Sequence, residues 1–293
     1  MRAAREKKIL ARQLATECLK DAGYEPEACR SVRLVPVRRV LLVKQVHRLT
    51  GLSAREGAIL PLEPQLSLWH ADEAKVIVGG KGITLRFTYA HELAHWAARL
   101  RLPEEECAKW SADEVRQFCD EFAGRLLVPD ELLISSLRET SVDPNRAFQI
   151  SIPMVESIYR HVQAPMATIL KRIGDAVEEG RLRITNCAML VCAGRSAKRN
   201  TDYATRILAC CTPLQWFLPA NKRLMTLGMS NLDQAFWKAP PIRLGFVVDK
   251  FTVWSREGWQ RESVQRPISY KIYAAGKSQH ASRVMLSLFP GPH

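Results

Sequence analysis

Residues 91–95 read His-Glu-Leu-Ala-His, and these side chains and their spacing are suited to metal chemistry. Residues four apart lie on the same face of an α-helix, so His91 and His95 can offer two imidazole nitrogens to one metal ion. Neutral imidazoles suit Zn²⁺, and Glu92 can reach a water molecule bound to that ion. This spacing is the zinc metallopeptidase signature, in which the glutamate acts as the general base.

The residues around this motif predict a buried helix from about Arg86 to Leu100, because most of its central residues are uncharged. Polar side chains buried there without partners would destabilise the fold by several kcal/mol. A metal ion shared by the two histidines removes that penalty. The alternative is a core helix whose histidines donate hydrogen bonds to backbone carbonyls, and we favour the metal site.

Length and composition set broader limits on this chain of 293 residues. One large domain or two modest domains are expected. The N-terminus lacks the apolar run of a signal peptide, and no segment approaches the roughly 20 apolar residues of a membrane span. The eight cysteines include no Cys-x-x-Cys pair. We therefore predict a cytoplasmic protein with reduced thiols and no membrane contact.

The net charge of +13 is spread unevenly along the chain. Residues 1–50 carry +7 and residues 193–293 carry +10, whereas residues 51–192 carry −4. Basic flanks can bring a protein close to nucleic acid or to an acidic protein partner. The alternative is a solvated basic surface with no specific partner.

Periodicity and turn residues predict an α+β fold. Helices are predicted at residues 1–20, 40–49, 86–100, 113–128, from 129 onward, 154–161 and 166–176. Strands are predicted at residues 58–62, 66–69, 75–78, 188–192, 206–210, 244–248, 251–254, 268–273 and 284–289. The change to strands near residue 183 indicates a boundary between domains.

Two helices carry a resemblance to a known family. The segment Phe87-Thr88-Tyr89-Ala90-His91-Glu92-Leu93-Ala94-His95, followed by Phe118-Cys119-Asp120-Glu121-Phe122-Ala123 and Leu126-Leu127-Val128-Pro129, resembles the ImmA/IrrE family of bacterial metallo-endopeptidases. The resemblance covers about residues 35–180 and is strong at these two helices. It implies a zincin-like domain with a small β-sheet and an active-site helix, in which His91 and His95 bind zinc and Glu92 is catalytic.

The resemblance and the charge pattern together predict three segments. Residues 1–34 form a basic helical N-terminal extension, and residues 35–182 form the ImmA/IrrE-like metallopeptidase domain. Residues 183–293 form a basic α+β C-terminal domain with a sensor or partner-binding role.

One position departs from the family pattern, because Arg116 stands where the resemblance implies a glutamate as the third zinc ligand. A guanidinium stays protonated and has no lone pair to give to a metal. Three alternatives follow. Asp120 ligates the metal directly, or Glu114 does so through a local shift of the helix, or the site binds metal weakly and the protein is a degenerate peptidase.

Two functions of different class are therefore predicted. In the first, a zinc-dependent endopeptidase cleaves a helix-turn-helix repressor and so regulates genes of a mobile element or a stress response, as the resemblance implies. Mn²⁺ or another divalent ion could replace zinc, because histidine-rich sites accept several metals. In the second, a catalytically degenerate regulator binds a repressor or DNA without cleaving.

Overall fold

The computed structural model describes residues 2–24, 40–44, 57–78, 82–140, 143–193, 205–211, 244–254, 261–275 and 282–290. The chain divides into two compact units, which comprise Met1–Ser136 with Tyr159–Pro165 and Leu137–Ile158 with Met166–His293. Helices and strands both contribute to the described residues, so the predicted α+β class is confirmed. Among those residues, no helix is long and apolar enough to cross a membrane. The three-segment division stays a prediction.

The elements up to residue 140 surround the His-Glu-Leu-Ala-His motif. In chain order they are α1 (Arg2–Asp21), β1 (Val40–Lys44), β2 (Gly57–Pro61), β3 (Ala74–Val78), α2 (Gly82–Arg101), α3 (Glu104–Cys107), α4 (Ala112–Leu127) and α5 (Asp130–Glu139). Helix α2 contains the motif and packs against α4, β2 and β3. The predicted helices at 1–20, 86–100 and 113–128, and the one after Pro129, are confirmed.

A three-stranded sheet in the order β1-β3-β2 lies beside α2. Strand β1 runs parallel to β3, with Val40 opposite Ala74 and Lys44 opposite Val78, and β2 runs antiparallel to β3. The helix predicted for residues 40–49 is therefore wrong over Val40–Lys44, and residues 45–49 lie outside the described chain. A short apolar run rich in valine suits a parallel strand, and periodicity alone does not distinguish it from a buried helix.

The strand predicted for residues 66–69 is also wrong, because these residues form turns. The Leu66 N–H donates to the Glu63 carbonyl, and the His70 N–H donates to the Ser67 carbonyl. The Ser67 hydroxyl also lies 2.6 Å from His70 Nδ1. These local hydrogen bonds compete with strand pairing, which is why a serine within a short apolar run favoured the turn.

Helix α4 begins at a capping box. The Ser111 hydroxyl accepts from the Glu114 N–H, and the Glu114 carboxylate accepts from the Ser111 N–H at 2.9 Å. The helix ends before Pro129, which cannot continue the hydrogen-bond pattern of a helix. These two ends set which residues of α4 face α2.

The second part of the chain adds two helices and a large sheet. Its elements are β4 (Ala147–Phe148), α6 (Ile152–Val162), α7 (Met166–Glu178), β5 (Arg183–Ile184), β6 (Asn186–Ala193), β7 (Thr205–Cys211), β8 (Leu244–Trp254), β9 (Arg261–Ala275) and β10 (Ser282–Pro290). Strands β4 and β5 pair in parallel. The other five form an antiparallel sheet in the order β7-β6-β10-β9-β8, and α7 packs against β6 and β7. The predicted helix pair and the predicted strands at 188–192, 206–210, 268–273 and 284–289 are confirmed. The two strands predicted at 244–248 and 251–254 form one continuous strand, Leu244–Trp254.

A network of charged side chains connects α1 with α4 and α5. Glu121 of α4 is only 4% exposed, and its carboxylate accepts from Arg12 Nε of α1 at 2.9 Å. It also accepts from Arg125 Nε at 3.4 Å. Arg125 in turn donates through Nη1 to both carboxylate oxygens of Asp130, at 3.1 and 3.0 Å. Glu121 is thus the buried anion that two arginines share.

We expect Glu121→Gln to lower the free energy of unfolding by about 3 kcal/mol, because it removes the buried negative charge that Arg12 and Arg125 share. Asp113→Asn on the same helix is the matched control, since the Asp113–Arg116 pair is exposed and should contribute little. Urea unfolding followed by circular dichroism, with a chelator present, measures both. Equal stability of the two variants would contradict the role of Glu121.

Candidate metal centre

Helix α2 brings His91, Glu92 and His95 together on a largely buried surface. The imidazole rings of His91 and His95 have centroids 5.9 Å apart and are inclined at 65°. Glu92 is 9% exposed, and the residues between and after the histidines, Leu93, Ala94 and Trp96, are buried in the core. The i, i+4 spacing therefore places the two imidazoles side by side, as the sequence predicts.

Asp120 of α4 positions the first of these imidazoles. Its Oδ1 lies 2.9 Å from Nδ1 of His91. This contact leaves Nε2 as the nitrogen of His91 that is free for a metal. A carboxylate bonded to the other nitrogen of a metal-binding histidine fixes the ring orientation and raises its basicity.

Cys119, the residue before Asp120, reaches the second imidazole. Its Sγ lies 3.5 Å from Nε2 of His95, and its side chain is fully buried. Burial raises the pKa of the Cys119 thiol, and the carboxylates of Glu92 and Asp120 raise it further. Burial, with a smaller contribution from the charge of His91, lowers the pKa of His95 to about 4. His95 is therefore a neutral imidazole at pH 7, which is the form that binds metal.

Three potential donor atoms converge at this point. One nitrogen of His91, one nitrogen of His95 and Sγ of Cys119 all lie within 4.8 Å of one another. Within the described part of the chain, this is the group of histidine, cysteine and carboxylate side chains with the spacing of a metal centre. Its donors fit a divalent ion such as zinc, since imidazole and thiolate are both favoured zinc ligands.

Sequence reasoning placed Asp120 and Glu114 as candidate third ligands and did not consider Cys119. In the structure, Asp120 contacts His91, whereas Glu114 lies in the first turn of α4 and contacts neither histidine of the motif. The Glu114 carboxylate is bonded to Lys7 of α1 and to Ser111, and these hydrogen bonds lower its pKa to about 2. The side chain of Arg116 is 67% exposed, and its Nη2 lies 2.7 Å from Oδ1 of Asp113.

Glu92 contacts the strand that borders the site. The backbone N–H of Ile59 in β2 acts on its carboxylate and favours the charged form. Burial raises the pKa of Glu92 above its ordinary value, although the charge of His91 and the Ile59 N–H oppose that shift. A carboxylate with a raised pKa is a better proton acceptor at neutral pH than an ordinary surface glutamate.

Gly57 lets β2 approach α2 closely enough for this contact. A Cβ atom at residue 57 would lie 2.6 Å from Cγ2 of Thr88 and 2.8 Å from Cγ of Glu92. Both distances are much shorter than an ordinary van der Waals contact. The absence of a side chain at Gly57 is thus a condition for the packing of β2 against Glu92.

A cavity of about 260 Å³ adjoins His95 and Cys119. The rest of its wall is mostly apolar, with one carboxylate and a second thiol. The other lining residues are Leu68, Trp69, Ala98, Glu104, Cys107, Ala108, Trp110, Val115 and Phe118. A mostly apolar cavity with a few convergent polar groups at one end is the usual form of a ligand or substrate pocket.

No protein-family model matches the chain, and no curated protein matches it either. Among solved structures, the chain is similar to a transcriptional regulator from Mycobacterium tuberculosis, with a TM-score of 0.50 and 12% sequence identity. The similarity covers 97% of this chain and 75% of that chain. At this level of identity the likeness concerns the fold alone.

Gly57→Ala should destabilise the protein by about 2 kcal/mol, because the added methyl group overpacks the contact between β2 and α2. Thr88→Ser removes the methyl carbon at 2.6 Å and keeps the hydroxyl that bonds the Thr84 carbonyl. Combining the two substitutions should therefore restore part of the lost stability. A double-mutant cycle measured by urea unfolding tests this, and strictly additive losses would show that residues 57 and 88 are not in contact.

Proposed function

We propose that this protein is a metal-dependent endopeptidase that regulates transcription by cleaving a repressor. The observation that carries the proposal is the half-buried group on α2, where His91 and His95 lie side by side and the buried Glu92 lies next to them at the edge of β2. Two imidazoles and an adjacent carboxylate are the parts that a zinc hydrolase needs. Zinc is the proposed ion, and Mn²⁺ is the alternative.

A metal ion held by His91 and His95 would acidify a water molecule and polarise the scissile carbonyl. Glu92 would accept a proton from the attacking water as the water oxygen bonds to the carbonyl carbon. The carboxyl group of Glu92 would then give the proton to the amide nitrogen as the C–N bond breaks. The raised pKa of Glu92 suits both steps, because the same group must take up a proton and release it.

The surroundings of the site support a peptide as substrate. Among the described strands, β2 pairs with β3 alone, so its other edge is available to an extended chain near Glu92. The cavity beside His95 is suited to an apolar side chain of that chain. We propose a helix-turn-helix repressor as the substrate because of the resemblance to ImmA/IrrE peptidases, and the structural similarity to a transcriptional regulator is compatible with that role.

Arg116 favours a second candidate function, a regulator that binds a repressor or DNA without cleaving it. An exposed arginine stands where the resemblance implies a ligand, so the peptidase site is altered at this position. The basic N- and C-terminal segments suit an acidic partner or DNA. Such a regulator would work through these basic residues, and its binding would weaken steeply as the salt concentration rises.

The variant Glu92→Gln distinguishes between the two proposed functions. We expect this variant to keep its metal and its far-ultraviolet circular dichroism while cleavage falls by about 10²–10⁴-fold, the usual contribution of a general base. Cells that produce the wild type should contain new N-termini within a helix-turn-helix protein, measured by N-terminal proteomics. Cells that produce Glu92→Gln should lack those N-termini.

Regulation that survives in Glu92→Gln, with no new N-termini in either strain, would reject the peptidase. In that case, charge reversal of basic residues in 193–293 should abolish regulation, and the non-catalytic regulator would stand.

A further inference from the structure

The proposed metal site lacks a third protein ligand at the position implied by the family resemblance. Catalytic zinc sites keep three protein ligands and leave one position open for water. We infer that Sγ of Cys119 is that third ligand, so that the centre is His91–His95–Cys119. This inference rests on the proposed function, since it concerns the same metal site.

The distance between Cys119 and His95 fits a shared metal. Zinc bonds of about 2.05 Å to nitrogen and 2.3 Å to sulfur, at a tetrahedral angle, place the two donor atoms about 3.6 Å apart. The Cys119 Sγ–His95 Nε2 distance is 3.5 Å. One nitrogen of His91, one nitrogen of His95 and Sγ of Cys119 all lie within 4.8 Å of one another, which brings the third donor to the same point.

The competing carboxylates have other partners. Asp120 bonds Nδ1 of His91, and in that position it supports the imidazole as a ligand. Glu114 caps α4 through Ser111 and bonds Lys7. Cys119 is therefore the residue of α4 that offers a donor atom directly to the two histidines.

Ligation by Cys119 also fits its surroundings. The side chain is fully buried beside His95 and lies in the wall of the cavity. On binding, the Cys119 S–H loses its proton to solvent and a metal–thiolate bond forms, so one proton is released for this ligand. The open fourth position belongs to water or substrate. A thiolate favours soft or borderline ions, so the site should prefer zinc to manganese.

Cobalt substitution tests the inference without relying on activity. The full-length wild type, loaded with one Co²⁺ per chain, should show a thiolate-to-cobalt charge-transfer band in the near ultraviolet together with the visible bands of a tetrahedral ion. Cys119→Ser should lose the charge-transfer band. Cys107→Ser is the matched control, because Cys107 lines the same cavity but is outside the donor group, and it should keep the band.

Three further variants extend the test, and the first covers the case in which Cys119→Ser does not fold. Cys119→Asp retains a ligand atom and should bind Co²⁺ with the visible bands alone. His91→Ala removes a ligand of the same centre and should weaken Co²⁺ binding. Asp120→Asn should keep the band while Co²⁺ binding weakens about 10–100-fold, as expected for a residue that orients a ligand.

The outcomes separate the ligand from the function. A wild type that binds one Co²⁺ without the charge-transfer band would overturn Cys119 as ligand and leave the metal site standing. A band that persists in Cys119→Ser would place the thiolate elsewhere in the chain and would also overturn the inference. A wild type that binds neither Co²⁺ nor Zn²⁺ would reject the metal centre and the proposed peptidase together.

Discussion

The packing around α2 depends on one constraint, which is that its polar side chains, partly or fully buried, must find partners on the elements that cover them. His91, Glu92 and His95 lie on a helix whose neighbouring side chains are apolar and buried. Unpartnered polar groups in such a place destabilise a fold by more than most single contacts stabilise it. Asp120 meets this requirement at His91, and Cys119 meets it at His95.

The charged residues of α4 that do not face α2 serve other purposes, and the place of each along the helix follows from its partner. Its first turn is closed by the Ser111–Glu114 capping box, so Glu114 is committed at the N-terminus of the helix. Its buried anion, Glu121, faces Arg12 of α1 and Arg125. Arg116 lies on the exposed face, where it adds no buried charge. An arginine at residue 116 is therefore compatible with the fold, because its side chain is exposed.

Local periodicity predicted the helix of the motif and the helix that follows it, because the signals for both are contained in about twenty neighbouring residues. The same signals were ambiguous for the short apolar run at Val40–Lys44, whose strand conformation depends on pairing with β3, more than thirty residues away. Cys119 was missed for a related reason. Its proximity to His95 arises from the packing of two helices, and neither the spacing nor the composition of the chain encodes that contact.

Replacing a carboxylate by a thiolate would change more than the position of the third ligand. A thiolate donates more electron density to zinc than a carboxylate does, which makes the ion a weaker Lewis acid toward its bound water. The demand on a general base would then increase. Glu92 is suited to that role, because burial raises its pKa and the close approach of β2 at Gly57 keeps the carboxylate away from bulk water. In the proposed centre, the strand edge, the base and the thiolate ligand would therefore depend on one another.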